Sequence, residues 1–436
     1  MFEYCLPVYD DLSTSQQAGF EAMMAEFSAS FFGSYANDVY KARWVILTSI
    51  AIGIVFTFIY ITLMRYFAST LAWVSVGLVQ LGLIMMGFFF WNERRTTDEQ
   101  STGLWWAMFF AWLSAGIFYC FLACNWSSLQ VSVAVIKVTS DWVADTKRLI
   151  FMPVATLFMG LIVFVIWTAG LACVASTSVD PIVANAPGSG DQAKVLVWTT
   201  FTYVQIYMML FGGVWLAFFL ISFNEYVTIV AAISWYFSDK TIPDDDGIPG
   251  DSEVYLGFKW GLCYQLGSLA AGSLILAVAW IVTTILKFVS KRVENATGNN
   301  CCTKCLIGCI MCFVDCFNRF VRYLTQNAYI CMALQNESFC MASVHAFILM
   351  LKNAAKFSMV STIASVFMFI AKICIAVSTT WVGFLILEPM LPKGTELSEP
   401  LAPVLVIFLF AYMISSVFIG VFDAGCNTIL QCYLMD

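Results

Sequence analysis

Residues 149–174 read LIFMPVATLFMGLIVFVIWTAGLACV, a long run without a charged side chain. About 20 apolar residues in a helix cross a hydrocarbon core roughly 30 Å thick. In lipid, a helix satisfies its backbone N–H and C=O groups within itself. The run is therefore predicted to be a membrane-spanning helix, and it does not stand alone. Comparable runs lie at 44–64, 70–91, 103–124, 195–221, 262–286, 357–387 and 403–422. Two more, 222–238 and 326–351, are apolar but interrupted by polar residues, and each reads equally as a crossing, a re-entrant piece or an interfacial helix. The fold class expected is all-α, a polytopic transmembrane helical bundle with about eight to ten membrane-spanning segments. A composition of 61% hydrophobic and 11% charged residues agrees.

Composition also excludes function classes. The formal net charge of −7, with no basic stripe, argues against a nucleic-acid partner. A single histidine, His345, removes most imidazole-dependent hydrolysis and His-rich metal sites, so no enzyme activity, cofactor or metal is expected. His345 itself reads as a polar surface residue. The 16 cysteines lie mostly in the apolar runs or in one cluster, unlike a secreted disulfide framework.

Polar segments set the expected organisation. Residues 1–43 contain Glu3, Asp10, Asp11, Glu21, Glu26 and Asp38 and read as the extracellular remnant of a first external loop, with 44–430 as the transmembrane domain. Lys287, Lys291, Arg292, Lys304, Arg319 and Arg322 place 287–322 in the cytosol by the positive-inside rule. No signal peptide precedes the acidic start, so an upstream signal-anchor helix outside this chain is the simplest account. The linker STSVDPIVANAPGSGDQA at 176–193 reads as an external loop, and the side of the acidic loop 239–253 stays open. Sequons begin at Asn125, Asn295 and Asn336, the basis for expecting a glycoprotein.

Cys302, Cys305, Cys309, Cys312 and Cys316 recur at steps of three and four, one continuous stripe on a helix. Only three residues separate the two C-x-x-C pairs, against 15–20 in zinc ribbons. The expected element is a cytoplasmic Cys-rich amphipathic helix, inserted at 289–325, whose stripe lies against membrane lipid or protein.

In FNEYVTIVAAISWYFSDK, residues 223–240, a helix places Glu225, Thr228, Ala232, Trp235 and Tyr236 within an arc of roughly 100°. A carboxylate inside a span is costly and marks a functional site by default. At the start of a helix, the same Glu225 would be only an acid in the first turn. Trp235 and Tyr236 read either as an aromatic gate or as part of an interfacial belt. Eleven residues separate Glu225 from Tyr236, about 16 Å along a helix axis, so they cannot grip one small ligand together.

The stretch YLTQNAYICMALQNESFCMASVHAF, residues 323–347, resembles the signature of the choline transporter-like family, solute carrier family 44. The match lies in Asn327, Ala328 and Tyr329, in Phe339 and Cys340, and in Ala346 and Phe347. QLGSLAAGSLI at 265–275, the cysteine cluster and the WYF run at 235–237 are similar to further family motifs in the same order. The resemblance implies a carrier of choline or a related amine, working by alternating access in the plasma membrane or an organellar membrane. It implies about ten helices with both ends in the cytosol. The chain departs from the pattern by lacking the family's first helix and most of the following loop, by ending at CYLMD, and by lacking a glycine within Val230–Ala232. A non-transporting membrane scaffold or lipid-interacting protein is the alternative.

On that resemblance, Glu225, Thr228, Trp235 and Tyr236 are the candidate substrate-binding residues. Choline has no N–H to donate, so aromatic faces and a nearby carboxylate must hold it. Gly267, Ser268, Ala271 and Gly272 form a small-residue surface for helix packing. Lys372 and Asp423, with Asn427 where the family tends to have an acid, are expected as an intramembrane charge pair and its neighbour. A static bridge and a proton-linked latch are both readings of that pair.

Overall fold

A computed structural model describes residues 38–96, 102–177, 182–185, 192–195, 198–238, 251–297, 301–390 and 401–436. Most of the acidic N-terminal segment and the loop 239–250 lie outside the described residues. The helices are α1 (Arg43–Thr96), α2 (Thr102–Cys124), α3 (Trp126–Asp145), α4 (Met152–Ser176), α5 (Thr200–Phe237), α6 (Asp251–Cys263), α7 (Leu266–Thr297), α8 (Cys301–Gln335), α9 (Phe339–Lys352), α10 (Ala354–Met390) and α11 (Leu401–Met435). The fold is an all-α polytopic bundle. Among the described residues seven helices, α1, α2, α4, α5, α7, α10 and α11, are long and apolar enough to cross a membrane.

Seven helices hold all eight uninterrupted runs because 44–64 and 70–91 share α1, a continuous helix of 54 residues. The intervening MRYFAST carries a charge, Arg65, but no Pro or Gly, so nothing in its backbone chemistry ends the helix. The run 222–238 likewise continues α5 rather than starting a new element. Part of the linker read as a loop forms an antiparallel hairpin, β1 (Ile182–Asn185) and β2 (Gln192–Val195), with Ile182 opposite Val195. Turn-forming APGSG sits between the strands, which is the hairpin signal.

The chain divides into two compact units. In one, residues 38–66 and 366–419, the start of α1 packs antiparallel to α10. Gly383 faces the Ser49 hydroxyl, Gly53 faces Thr379, and Ala42, Val45 and Ile46 share a core with Leu387 and Ile407. Phe58 and Phe418 rings lie 5.8 Å apart.

The other unit, residues 67–365 and 420–436, contains the remaining elements. Its core joins α5, α7, α8 and α9 through Tyr226, Ile229, Leu269, Tyr329, Met332 and Phe339. The outer face of α4 is different, with Phe158, Ile162, Val165 and Ile166 all exposed. Apolar side chains in such a row require hydrocarbon around them.

Three contacts fix α7 against α8. At one end Lys287 Nζ lies 2.8 Å from Asp315 Oδ1, and at the other Gln265 Nε2 donates to Asn336 Oδ1 at 3.1 Å. Between them Gly272 meets Tyr329. From Gln265 to Gly272 and from Asn336 back to Tyr329 are seven residues each, and from there to Lys287 and Asp315 are 15 and 14, so the helices run antiparallel. The ladder from one end to the other is about 32 Å long at 1.5 Å per residue. The part of α8 from Asp315 onward thus matches the apolar part of α7 in length, although its polar residues hide it from a hydropathy window. Of the Cys-rich segment expected as an insertion at 289–325, residues 289–297 end α7 and residues 301–325 belong to α8, a helix of 35 residues.

A polar seam between three helices

α5 starts at Thr200, where the Thr199 side chain accepts from Thr202 N. Glu225 therefore lies deep in the helix, not in its first turn, which removes the first-turn reading. From Tyr226 to Ala232 the helix is buried all round. Glu225 itself is half-buried. It lies within electrostatic reach of Arg322 on α8 and Asp423 on α11. Two half-buried carboxylates and one exposed guanidinium thus lie within reach of one another.

Residues on α8 and α11 extend this region into a seam. Asn427 Nδ2 faces Gln326 Oε1 at 3.4 Å, and Gln431 Nε2 contacts Cys331 Sγ at 2.8 Å. Stepping from 326 to 331 is matched by stepping from 427 to 431, so the two helices run parallel here. Asn327 Nδ2 donates to Tyr323 O at 2.8 Å, while Asn327 Oδ1 is buried and has no partner among the described residues. The hydroxyls of Tyr323, Tyr329 and Ser222 are in the same condition. Tyr329 and Ser222 face each other, but outside good hydrogen-bond geometry. Buried polar groups left open in this way are costly and typically await water, an ion or a ligand.

The four residues selected from sequence do not act as one group. Thr228 is buried and its Oγ1 donates to Asn224 O at 2.9 Å, so its hydroxyl is occupied within the helix. Trp235 is 4% exposed, too enclosed for a lipid-facing belt, whereas Phe237 is exposed. Tyr236 is half-buried, 5.0 Å from the Phe237 ring and within electrostatic reach of Asp436 at the end of α11.

The signature residues are mostly structural. Asn327, Ala328 and Tyr329 are fully buried, Phe339 nearly so, and the Tyr329 and Phe339 rings lie 5.9 Å apart. Cys340 is exposed. Of the small-residue surface, Gly272 is buried and Ser268 half-buried, while Gly267 and Ala271 face outward. Lys372 is half-buried on α10 in the first unit, and Asp423 is half-buried on α11 in the second. His345 Nδ1 pairs with Glu337 Oε2 at 2.8 Å beside the break between α8 and α9. Cys305, Cys309, Cys312 and Cys316 are exposed along α8.

Sequence reasoning misses Arg322, Gln326 and Gln431 as members of the site, and counts Arg322 only among the cytosolic basic residues. The signal that could have found them is spacing: Asp423, Asn427 and Gln431 recur every four residues, and Arg319, Arg322, Tyr323 and Gln326 follow a helical face.

The profile of the family described as "Plasma-membrane choline transporter" matches residues 109–436. The chain is 28% identical over 408 residues to choline transporter-like protein 2 of Dictyostelium discoideum, covering 89% of this chain and 61% of that protein. It is 23% identical over 470 residues to choline transporter-like protein 4 of Homo sapiens, covering 94% and 64% respectively. A shorter match, 29% over 226 residues, is to choline transporter-like protein 5-A of Danio rerio, covering 51% and 31%. The chain thus spans less than two thirds of the length of these relatives.

Proposed function

The chain belongs to the plasma-membrane choline transporter family, and on that premise we propose that it carries choline or a related amine across a membrane, the plasma membrane by preference, by alternating access. The observation that carries the reading is Glu225: a half-buried carboxylate well inside a long helix, within electrostatic reach of Asp423 and Arg322 and near the Tyr329 hydroxyl, which has no partner among the described residues. A permanent cation stripped of water needs such a counter-charge and aromatic surface, since it offers no N–H to a carbonyl.

In this proposal Glu225 supplies the negative field for the amine. Arg322 keeps the two carboxylates from repelling each other when the site is empty. Asp423 and Asn427 on α11, with Lys372 on α10, are proposed as the intramembrane groups whose charge balance changes during the cycle. A proton is a natural counter-ion for a half-buried carboxylate pair. Thr228 and Trp235 shape α5 in this account rather than touch substrate, and Tyr236 stands at the far end of the path.

Purified protein in proteoliposomes, assayed for choline uptake with and without a pH gradient, tests the proposal. Saturable uptake by the unmodified protein that falls in Glu225→Gln supports it. Equal uptake by both proteins removes Glu225 from the substrate path, and uptake unaffected by the gradient removes the proton.

A further inference from the structure

Beside Tyr226 of α5 lies a cavity of about 320 Å³, lined also by Trp260, Tyr264, Gln265, Met332 and Asn336 among others. That volume is at the lower end for small-molecule sites. It sits where two helices are interrupted. Between α6 and α7 the Trp260 carbonyl accepts from both Tyr264 N and Gln265 N, each at 3.0 Å, which bends the chain. Between α8 and α9 Asn336 adopts φ 53°, the left-handed region that asparagine tolerates better than most residues. The Gln265–Asn336 hydrogen bond joins the two interruptions.

Irregular backbone at such places in membrane transporters is tolerated where it lines a cavity, and paired interruptions frame ligand sites. Three aromatic side chains around one space, with Met332 and two amides but no carboxylate among the described lining residues, suit a soft organic cation rather than a metal ion or an anion. The aromatic residues arrive separately: Tyr226 from α5, Trp260 from α6 and Tyr264 from the bend itself.

We infer that this cavity binds a quaternary ammonium group between the faces of Trp260, Tyr264 and Tyr226, as an aromatic site separate from the Glu225 seam. The inference rests on the amine reading above and adds the residues that would select quaternary over primary amines. A methylated nitrogen spreads its charge over a surface that covers aromatic faces well. A primary ammonium instead keeps its water, which aromatic faces do not replace.

Calorimetric titration of the purified protein with tetramethylammonium and with ethanolamine tests the inference. Trp260→Leu and Tyr264→Leu should each raise the tetramethylammonium Kd about five-fold or more, the scale of one cation–π contact, while Trp260→Phe, which keeps a π-face, stays near the unmodified value. Ethanolamine binding should be little altered by any of the three. Unchanged tetramethylammonium affinity in both leucine variants overturns the aromatic site while leaving the Glu225 reading standing. Absence of quaternary-amine binding together with absence of choline uptake overturns both. Should the leucine variants misfold, a photoreactive quaternary amine on the unmodified protein gives the same answer. Crosslinks to the peptide containing Trp260 and Tyr264 are expected, and crosslinks confined elsewhere overturn the inference.

Discussion

Gly272 on α7 lies directly against the phenol of Tyr329 on α8, so close that a β-carbon there would collide with the Tyr329 hydroxyl and come within 2.8 Å of Phe339 Cε2. Both partners are buried signature residues, and neither ring has room to retreat. The small-residue surface and the signature recognised separately in the sequence are therefore two sides of one contact.

Gly272→Ala should destabilise the protein by about 1–3 kcal/mol, the range for forcing an extra methyl into a packed core. A β-carbon added at Gly267 would meet nothing within 4 Å. Gly267→Ala should be neutral or stabilising by up to about 1 kcal/mol through helix propensity. Thermal unfolding in detergent separates the two; equal Tm values would mean that the close approach to Tyr329 does not hold.

Trp235→Leu should lower stability by about 2 kcal/mol through lost burial, with little effect on choline affinity in the protein that remains folded. Melting curves and binding isotherms on the same preparation check this. Loss of affinity at unchanged Tm would return Trp235 to the substrate site.

The α7–α8 ladder also bears on sidedness. α8 carries the cysteine stripe at its Lys287 end, and α11 runs parallel to α8 toward its Asn336 end. An expectation that puts both the stripe and the chain's C-terminal Asp436 in the cytosol therefore conflicts with α8 crossing the membrane. A membrane-impermeant maleimide, read as the labelling lost when Cys305, Cys309, Cys312 and Cys316 become serine, should reach the stripe from one face. An epitope placed after Asp436 should be reached by antibody from the other. Labelling of both from the same face would show that α8 does not span.

Much of the fold is legible in the sequence because lipid imposes a simple rule: α4, α7, α10, α11 and the first part of α5 all lie on uninterrupted apolar runs. What is not legible is α8. From Asp315 onward it is as long as a span, but Arg319, Arg322, Gln326 and Asn327 depress its hydropathy; Asn327 is buried and Gln326 half-buried against other helices, while the two arginines are exposed. The missing break in α1 has the converse cause, a charge without any residue that bends the backbone. For the site, Glu225 stands out because a carboxylate in an apolar run is costly wherever it sits. Its companions Arg322 and Asp423 are distant in sequence, and only the packing of α5, α8 and α11 brings them near. Helical spacing along one element groups Thr228 and Trp235 with Glu225, but a shared arc does not make a shared cavity.

Choline affinity of Glu225→Gln should fall by the order of 1–2 kcal/mol, roughly five- to thirty-fold, because the substitution removes the charge and keeps the shape. Equilibrium binding of labelled choline measures it. An unchanged Kd would place the counter-charge elsewhere, with Asp423 the next carboxylate to replace.

The most direct measurement of the central claim is counterflow: proteoliposomes loaded with unlabelled choline and diluted into trace labelled choline. A carrier that alternates between two faces should accumulate label transiently, above both empty liposomes and protein liposomes without internal choline. Folded, correctly inserted protein that gives no more label than empty liposomes would contradict the account.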